Sequence, residues 1–307
     1  MKRFIIRRIG YSLVTIIMAT IIVFTLSRMS GDPRYLYLSE YSHVSADVWD
    51  AWGKKMGLDK PLPVQYLYWL GNVLIGDWGE SIVNGGNVRE MVLERIPLTL
   101  QMTAGGFGFA LLFGIPLGML SAVKKGAILD YFGRGFAILG QSVPSFWLAI
   151  VFILVFSVKL GWLPTSGPGG FSHWIMPSVC LGWLASAGLL RLTRSALLDV
   201  LDSEYIKFAR AKGASSTSII WRHGFRNALI PPLTYSGLML AGFANGSVVT
   251  ETIFAWPGIG VLVINALYQN DYPIILATAL VFAVIYVVFA FIVDLLYAAI
   301  DPRIRYS

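Results

Sequence analysis

Residues able to do nucleophilic, acid–base or metal chemistry are few in this sequence, and they are scattered. The three histidines, His43, His173 and His223, lie far apart, and the single cysteine, Cys180, has no second thiol for an intrachain disulfide. No histidine–cysteine cluster shows metal-ligand spacing, and no histidine lies well inside an apolar run where haem ligation would place it. There is no G-x-x-x-x-G-K-[ST] phosphate loop, no G-x-S-x-G elbow and no H-E-x-x-H pair. Carboxylates stay outside the longest apolar runs or at their ends, as with Asp294, which argues against a proton-coupled carrier. The chemistry on offer is recognition rather than catalysis, and it concentrates in residues 204–232, EYIKFARAKGASSTSIIWRHGFRNALIPP. That stretch is the longest strongly basic, charge-dense segment of the chain.

Two short helices should position it. Asp202 or Ser203 can cap the first, and Gly213 falls where a left-handed residue would end it. Ser215 or Ser216 can cap the second, and Pro231-Pro232 mark its end or the break into the next element. A basic helix pair between two apolar spans must lie in water beside a membrane. It reads as a docking piece. A basic juxtamembrane helix on anionic lipid is the alternative, but lipid binding needs neither the small-residue run nor the glycine break.

The rest of the chain must hold that piece. Hydrophobic residues make up 56% of the sequence and charged ones 13%, with a mean hydropathy of +0.67, which excludes an ordinary soluble globule. Six uncharged runs (9–27, 96–123, 135–158, 160–190, 227–250 and 272–293) approach or exceed the roughly 20 residues that a helix needs to cross a bilayer. They lack the alternation of barrel strands, so helices are the expected solution. The expectation is an all-α polytopic membrane protein with six transmembrane helices. The first run is expected to be retained rather than cleaved, because no small-residue cleavage site follows it before Arg28. With the N-terminus inside, sixteen of the 24 Lys+Arg fall in inner segments. The net charge of +7 then reflects topology, not nucleic-acid binding, and no nucleic-acid module is present.

Between the runs, 34–95 is too long for a simple connection and should hold short interfacial helices anchored by Trp49, Trp52, Trp69 and Trp78. Gly31-Asp32-Pro33 and 161–170 should be turns. Gly114 and Gly118 are spaced for close helix approach, and Pro116 between them for a kink. Gln141, Ser142, Asn245 and Glu251 are the polar residues within or at the ends of apolar runs that could line a pathway. The organisation expected is a first helix (1–29), an external segment (30–95), a membrane domain (96–298) containing the loop 199–230, and a tail (299–307).

The run Ala209-Arg210-Ala211-Lys212-Gly213, with Arg222-His223 and Arg226-Asn227-Ala228-Leu229-Ile230-Pro231, resembles the cytoplasmic "EAA" loop of ABC-transporter permeases. Lys207 and Phe208 stand where the general motif has Glu-Ala, a departure that fits the dipeptide/oligopeptide/nickel branch. GLDKPLPVQYLYWL (57–70), GDWGES (76–81), ERIPLTL (94–100), ETIFAWPGIG (251–260) and DLLYAAIDPRIRY (294–306) are similar to that branch too, so the resemblance covers most of the chain. It implies the architecture of a type I importer permease without an ATP site or cofactor of its own. Its partners would be a second related permease, two ATPase subunits and an external solute-binding protein, in a bacterial or archaeal plasma membrane with both termini cytoplasmic. It assigns the ATPase contact to Glu204, Tyr205, Ala209, Arg210, Ala211, Lys212, Gly213, Ala214, Arg222, His223, Arg226 and Asn227. The solute would be a peptide or similar, with sugars and metal chelates open. An ion-coupled secondary transporter and a passive subunit of a respiratory complex are the competing readings. The docking stretch argues against the second.

Overall fold

A computed structural model describes residues 2–29, 34, 46–55 and 57–300. The turn expected at Gly31-Asp32-Pro33, His43 and the tail from 301 lie outside them, as do the side chains of Trp52 and Asn245. The chain divides into two compact units, residues 1–98 with 257–287, and residues 99–256 with 288–307.

The first unit begins with α1 (Lys2–Met29), followed by three short helices, α2 (Ala46–Lys55), α3 (Leu62–Leu74) and α4 (Val88–Leu93). The long segment before residue 95 thus holds short helices, as its tryptophans and turn residues imply. Asn87 caps α4 by accepting from the Glu90 amide. Val88 and Val92 on α4 are buried against Ile259, Leu262 and Ala266 of α12 (Ile259–Gln269) and Ile274 and Ala277 of α13 (Tyr272–Ile300). Phe24 of α1, Tyr66 of α3 and Leu276 form a second core, and the Thr20 and Tyr66 hydroxyls are hydrogen-bonded at 2.9 Å. Asp271, in the turn between α12 and α13, is buried and takes a hydrogen bond from the Ser81 hydroxyl and another from the Ile82 amide at 3.2 Å. That contact fixes the 76–82 turn onto α12–α13.

The second unit is built on α5 (Ile96–Val123) and α8 (Phe171–Leu201). α5 has 28 residues, about 42 Å at 1.5 Å per residue. Glycines let the two backbones touch. A Cβ on Gly182 would lie 2.3 Å from the Gly106 carbonyl oxygen, and Cβ atoms on Gly114 and Gly118 would lie 2.8 and 2.7 Å from the carbonyls of Ser186 and Leu190. The 114/118 spacing therefore serves helix packing.

α6 (Ile128–Ser142) and α7 (Ser145–Phe152, continued as π-helix through Ile153–Lys159) occupy the run expected as one span, 135–158. They meet instead at 108°. The cause is local: Pro144 has no N–H, and a residue before proline is pushed out of the helical region. Val143 accordingly lies at φ −94°, ψ 122°. Within the run 160–190 the helix starts at Phe171, after the turn expected at 161–170, and it continues beyond the run to Leu201.

Four helices among the described residues are long and apolar enough to cross a membrane, or five with the bent pair as one span. The remaining run is α11 (Ile230–Ile253), 24 residues long but diluted by Thr234, Ser236, Ser247, Thr250, Glu251 and Thr252. Ser236, Ser247, Thr250 and Glu251 are buried within the protein, while the exposed Thr234 and Thr252 hydroxyls donate to the Ile230 and Val248 carbonyls of the same helix.

Candidate docking site

The basic stretch folds as two short helical pieces set on the ends of α5 and α8. Ser203 is extended (φ −70°, ψ 152°) and starts α9 (Glu204–Ala211), while its hydroxyl donates to the Val200 carbonyl at 2.5 Å rather than capping. At the other end Gly213 has φ +82°. Its amide donates to the Arg210 carbonyl at 2.9 Å and that of Ala214 to the Ala209 carbonyl at 3.2 Å. These are the paired bonds of a Schellman motif, which needs a left-handed residue at this point. Ser215 then caps the second piece, accepting from the Ser218 amide at 3.3 Å. That piece runs as a π-helix over Ile219–Phe225 and returns to α-helix at Arg226–Ala228 (the whole, 216–228, is α10). Pro231 and Pro232 sit in the first turn of α11, where the missing N–H is least costly.

Apolar side chains seat the hairpin. Ile206, Ile219 and Ala228 are buried, and Ala228 and Phe225 share a cluster with Met119 and Ala122 of α5 and Leu197 of α8. Gly224 allows the approach, since a Cβ there would come within 3.3 Å of Leu197 and Leu201. Tyr205 joins the two pieces: its hydroxyl donates to the His223 carbonyl and accepts from Asn227 Nδ2 at 2.9 Å, and Asn227 Nδ2 also reaches that carbonyl at 3.0 Å. Three of the sequence-predicted residues are thus brought together. Their role is to close the hairpin.

The other predicted residues form its solvent face. Glu204, Arg210, Ala211, Lys212, Arg222 and Arg226 are exposed, with Ala209 and Ala214 half-buried. Lys207 pairs with Glu204 at 2.7 Å, an exposed contact worth about 0–1 kcal/mol. Two large aromatics share this face, Phe208 at 61% and Trp221 at 59% exposure, and Lys212 Nζ lies 4.5 Å from the Phe208 ring centroid. Aromatics amid cations are the composition of a protein-binding hot spot. Sequence reasoning dwelt on the charges and passed over both rings.

It also missed Asp130, at 1% exposure in the first turn of α6. Arg194 of α8 grips it bidentately, Nε to Oδ1 at 2.8 Å and Nη2 to Oδ2 at 3.1 Å. The Ser121 hydroxyl of α5 donates to Oδ1 at 2.5 Å and the Gly126 amide to Oδ2 at 3.0 Å. One carboxylate therefore ties α5, the following turn, α6 and α8 beside the hairpin. The i,i+4 pair with Arg134, at 3.6 Å, was the only local sign of it.

The pathway candidates are placed differently. Gln141 and Ser142 are exposed at the α6–α7 bend. Glu251 is fully buried in the last turn of α11 and accepts from the Ser247 hydroxyl at 2.9 Å. Asn245 lies on the same helix.

A family profile described as "Binding-protein-dependent transport system inner membrane component" matches residues 114–306, and the N-terminal profile of the same system matches 1–103. The chain belongs to this family. It is the membrane permease subunit of an ABC importer, a multi-pass transport component, and ATP hydrolysis lies with a separate subunit. Membership also implies ATPase and binding-protein partners. Over its whole length, and the whole of theirs, the permease is 41% identical to the oligopeptide transport system permease protein AppB of Bacillus subtilis and 38% to the glutathione transport system permease protein GsiC of Salmonella typhimurium. GsiC of Escherichia coli K12 is 37% identical over the same coverage. An inward-facing structure of the MetNI methionine ABC transporter matches with a TM-score of 0.57 at 22% identity, covering 69% of this permease and 96% of that chain. That likeness shows a shared fold.

Proposed function

We propose that this permease forms, with a second related permease, the translocation pathway for peptides or similarly sized solutes handed over by an external binding protein. Two ATPase subunits drive the pair, each gripping one hairpin of the α9–α10 type. The observation that carries this reading is the hairpin itself, with its closed turn at Gly213, its seat on α5 and α8, and Phe208 and Trp221 presented among cations. Peptide as solute is supported by full-length identity to permeases named for an oligopeptide and for glutathione, itself a small peptide. Both termini then lie on the ATPase side, as the excess of Lys and Arg in the inner segments favours.

Mechanically, closure of the ATPases displaces α9. α9 is tied to α10 by Tyr205, and Phe225 and Ala228 of α10 pass that displacement to α5 and α8, because packed interiors move as units. The two arrangements need differ by only a few kcal/mol for partners to bias them.

The test is affinity purification of the permease from its native cell in mild detergent, followed by mass spectrometry, with Gly213→Trp in parallel. Recovery of ATPases and a second permease with the wild type, and selective loss of the ATPases with the variant, supports the assignment. Recovery of the permease alone, folded and transporting without ATP, refutes it. Fusion of cytoplasmic reporters to each terminus checks the orientation.

A further inference from the structure

In the first unit, the end of α1, α2, α3, the 76–82 turn and the start of α13 line a half-open cleft of about 370 Å³, within the roughly 300–1,000 Å³ of ligand pockets. Its lining carries both signs of charge. Arg28, Lys54 and Lys60 contribute cations, and Asp77 and Glu80 contribute carboxylates. Opposite charges around one cavity usually satisfy each other. Here, among the described residues, Lys54 and Lys60 make no ion pair with Asp77 or Glu80.

Neighbouring groups hold the charges in place. Lys60 Nζ donates to the Tyr68 hydroxyl at 2.9 Å and lies 4.1 Å from that ring's centroid. The hydrogen bond raises the lysine's pKa above its ordinary value, so it stays cationic. Asp77 Oδ1 is engaged by the Gly79 amide at 3.0 Å, which orients the carboxylate. Gln65, also in the lining, donates Nε2 to the Lys60 carbonyl at 2.8 Å. Its amide orientation is therefore set, and its buried Oε1 has no partner. Trp69 and Trp78 are also in the lining, and indole rings favour a cation. The cavity also has a defined depth. α1 is long and apolar enough to span, and Arg28 is in its last turn. A guanidinium there belongs at the headgroup level, because deeper placement is costly.

We propose that this cavity binds a zwitterion bearing a primary ammonium and an anionic oxygen group. Ethanolamine-phospholipid headgroups and the termini of a short peptide share that chemistry. The ammonium, with three N–H donors, meets Glu80, Asp77 and the indole rings, and the anion meets Arg28, Lys54 and Lys60. A simple anion would face two carboxylates, and a simple cation three positive groups. The peptide form rests on the importer reading, whereas the lipid form requires no transport, so the two can fail separately.

The experiment uses the full-length permease, purified with its co-purifying partners, stripped of lipid and examined by native mass spectrometry. Phosphatidylethanolamine, phosphatidylcholine and phosphatidylglycerol are added separately. In a second arm trialanine, N-acetyl-trialanine and trialanine amide are titrated. Glu80→Gln and Lys54→Gln alter exposed residues, and an unchanged melting temperature verifies their folding. The expected result is retention of the ethanolamine lipid, or binding of trialanine, by roughly tenfold over the forms lacking the primary ammonium, the worth of one charge-assisted hydrogen bond. Glu80→Gln should abolish that preference without affecting the choline lipid or the acetylated peptide. Lys54→Gln should weaken all forms that carry the anion. The arm that shows the preference names the source. Equal retention of all three lipids with no amine-dependent peptide binding overturns the proposal, as does a preference that survives Glu80→Gln.

Discussion

Replacing Gly213 with alanine, asparagine and tryptophan separates backbone strain from steric contact at the docking hairpin. Gly213 has φ +82°, and a Cβ built there meets nothing within 4 Å. Space is therefore no obstacle within the chain, and the cost of a side chain is conformational. A left-handed backbone costs an L-residue about 1–2 kcal/mol, and asparagine tolerates it far better than most. At 1.4 kcal/mol per factor of ten, Gly213→Ala should lower the population of the closed hairpin, and so the apparent ATPase affinity, by roughly 5- to 30-fold. Gly213→Asn should cost no more than about threefold by the same conversion. Tryptophan carries alanine's strain plus its own bulk, so any loss beyond alanine's measures how closely the ATPase approaches residue 213. The assay is titration of the purified ATPase subunit against permease in lipid nanodiscs, with solute-stimulated ATP hydrolysis as a second readout. Global melting should hardly change, because the strain is relieved by opening one exposed turn. Alanine indistinguishable from glycine, or asparagine as damaging as alanine, would refute the argument from φ.

Phe208→Ala and Trp221→Ala should each weaken ATPase binding by about 2 kcal/mol, some 30-fold, with melting unchanged, if the exposed rings are the anchors. Asp130→Asn should lower the stability of the permease in detergent by about 3–5 kcal/mol, because it strands Arg194; the double change Asp130→Leu with Arg194→Met should recover much of that in the same melting assay. Gly182→Val should prevent folding or assembly, since even a Cβ would sit 2.3 Å from the Gly106 carbonyl oxygen, whereas Gly108→Ala meets nothing within 4 Å and should be neutral by size-exclusion chromatography. Tyr205→Phe removes one donor to the exposed His223 carbonyl and should cost about 0.5–1 kcal/mol locally, visible as faster amide exchange over 219–228.

Hydropathy alone located α5 to the residue, because its limits coincide with a change from charged to apolar sequence at both ends. The basic hairpin was legible for another reason. Its turn is chemical: Gly213 and Ser215 occupy positions where few residue types serve, and both do what their types imply. The bend at Val143–Pro144 was not seen because a composition count registers Pro144 as one more uncharged residue, whereas its effect is on the dihedral angles of Val143. Asp130 was passed over because a carboxylate beside a turn normally faces water. Its burial depends on Arg194, 64 positions away, and nothing local encodes that partner. Glu251 lies at the end of its span, in the last turn of α11, as its sequence position implies, but its burial against Ser247 one turn back was not legible.

The contacts of the second unit also indicate where a displacement of the hairpin would be absorbed. α10 is fixed to α5 and α8 by buried apolar side chains, α9 is tied to α10 by Tyr205, and α5, α6 and α8 are fixed to one another by Asp130. The α5–α8 contact is backbone against backbone at Gly106, Gly114 and Gly118, which leaves little room for those helices to slide. Stiff attachments pass motion on until the first compliant joint. Along α6 that joint is the break at Val143–Pro144, where the helical hydrogen-bond ladder is interrupted and the direction changes by 108°. Gln141 and Ser142 stand exposed immediately before it. On the importer reading, a push at the hairpin therefore turns α6 about this break and moves these two polar residues with it. Cross-linking cysteines placed at 141 or 142 to the partner permease, with and without ATP, should show spacing that depends on nucleotide. Disabling the hairpin with Gly213→Trp should abolish that dependence. If the spacing still followed nucleotide in that variant, the hairpin would not be the lever.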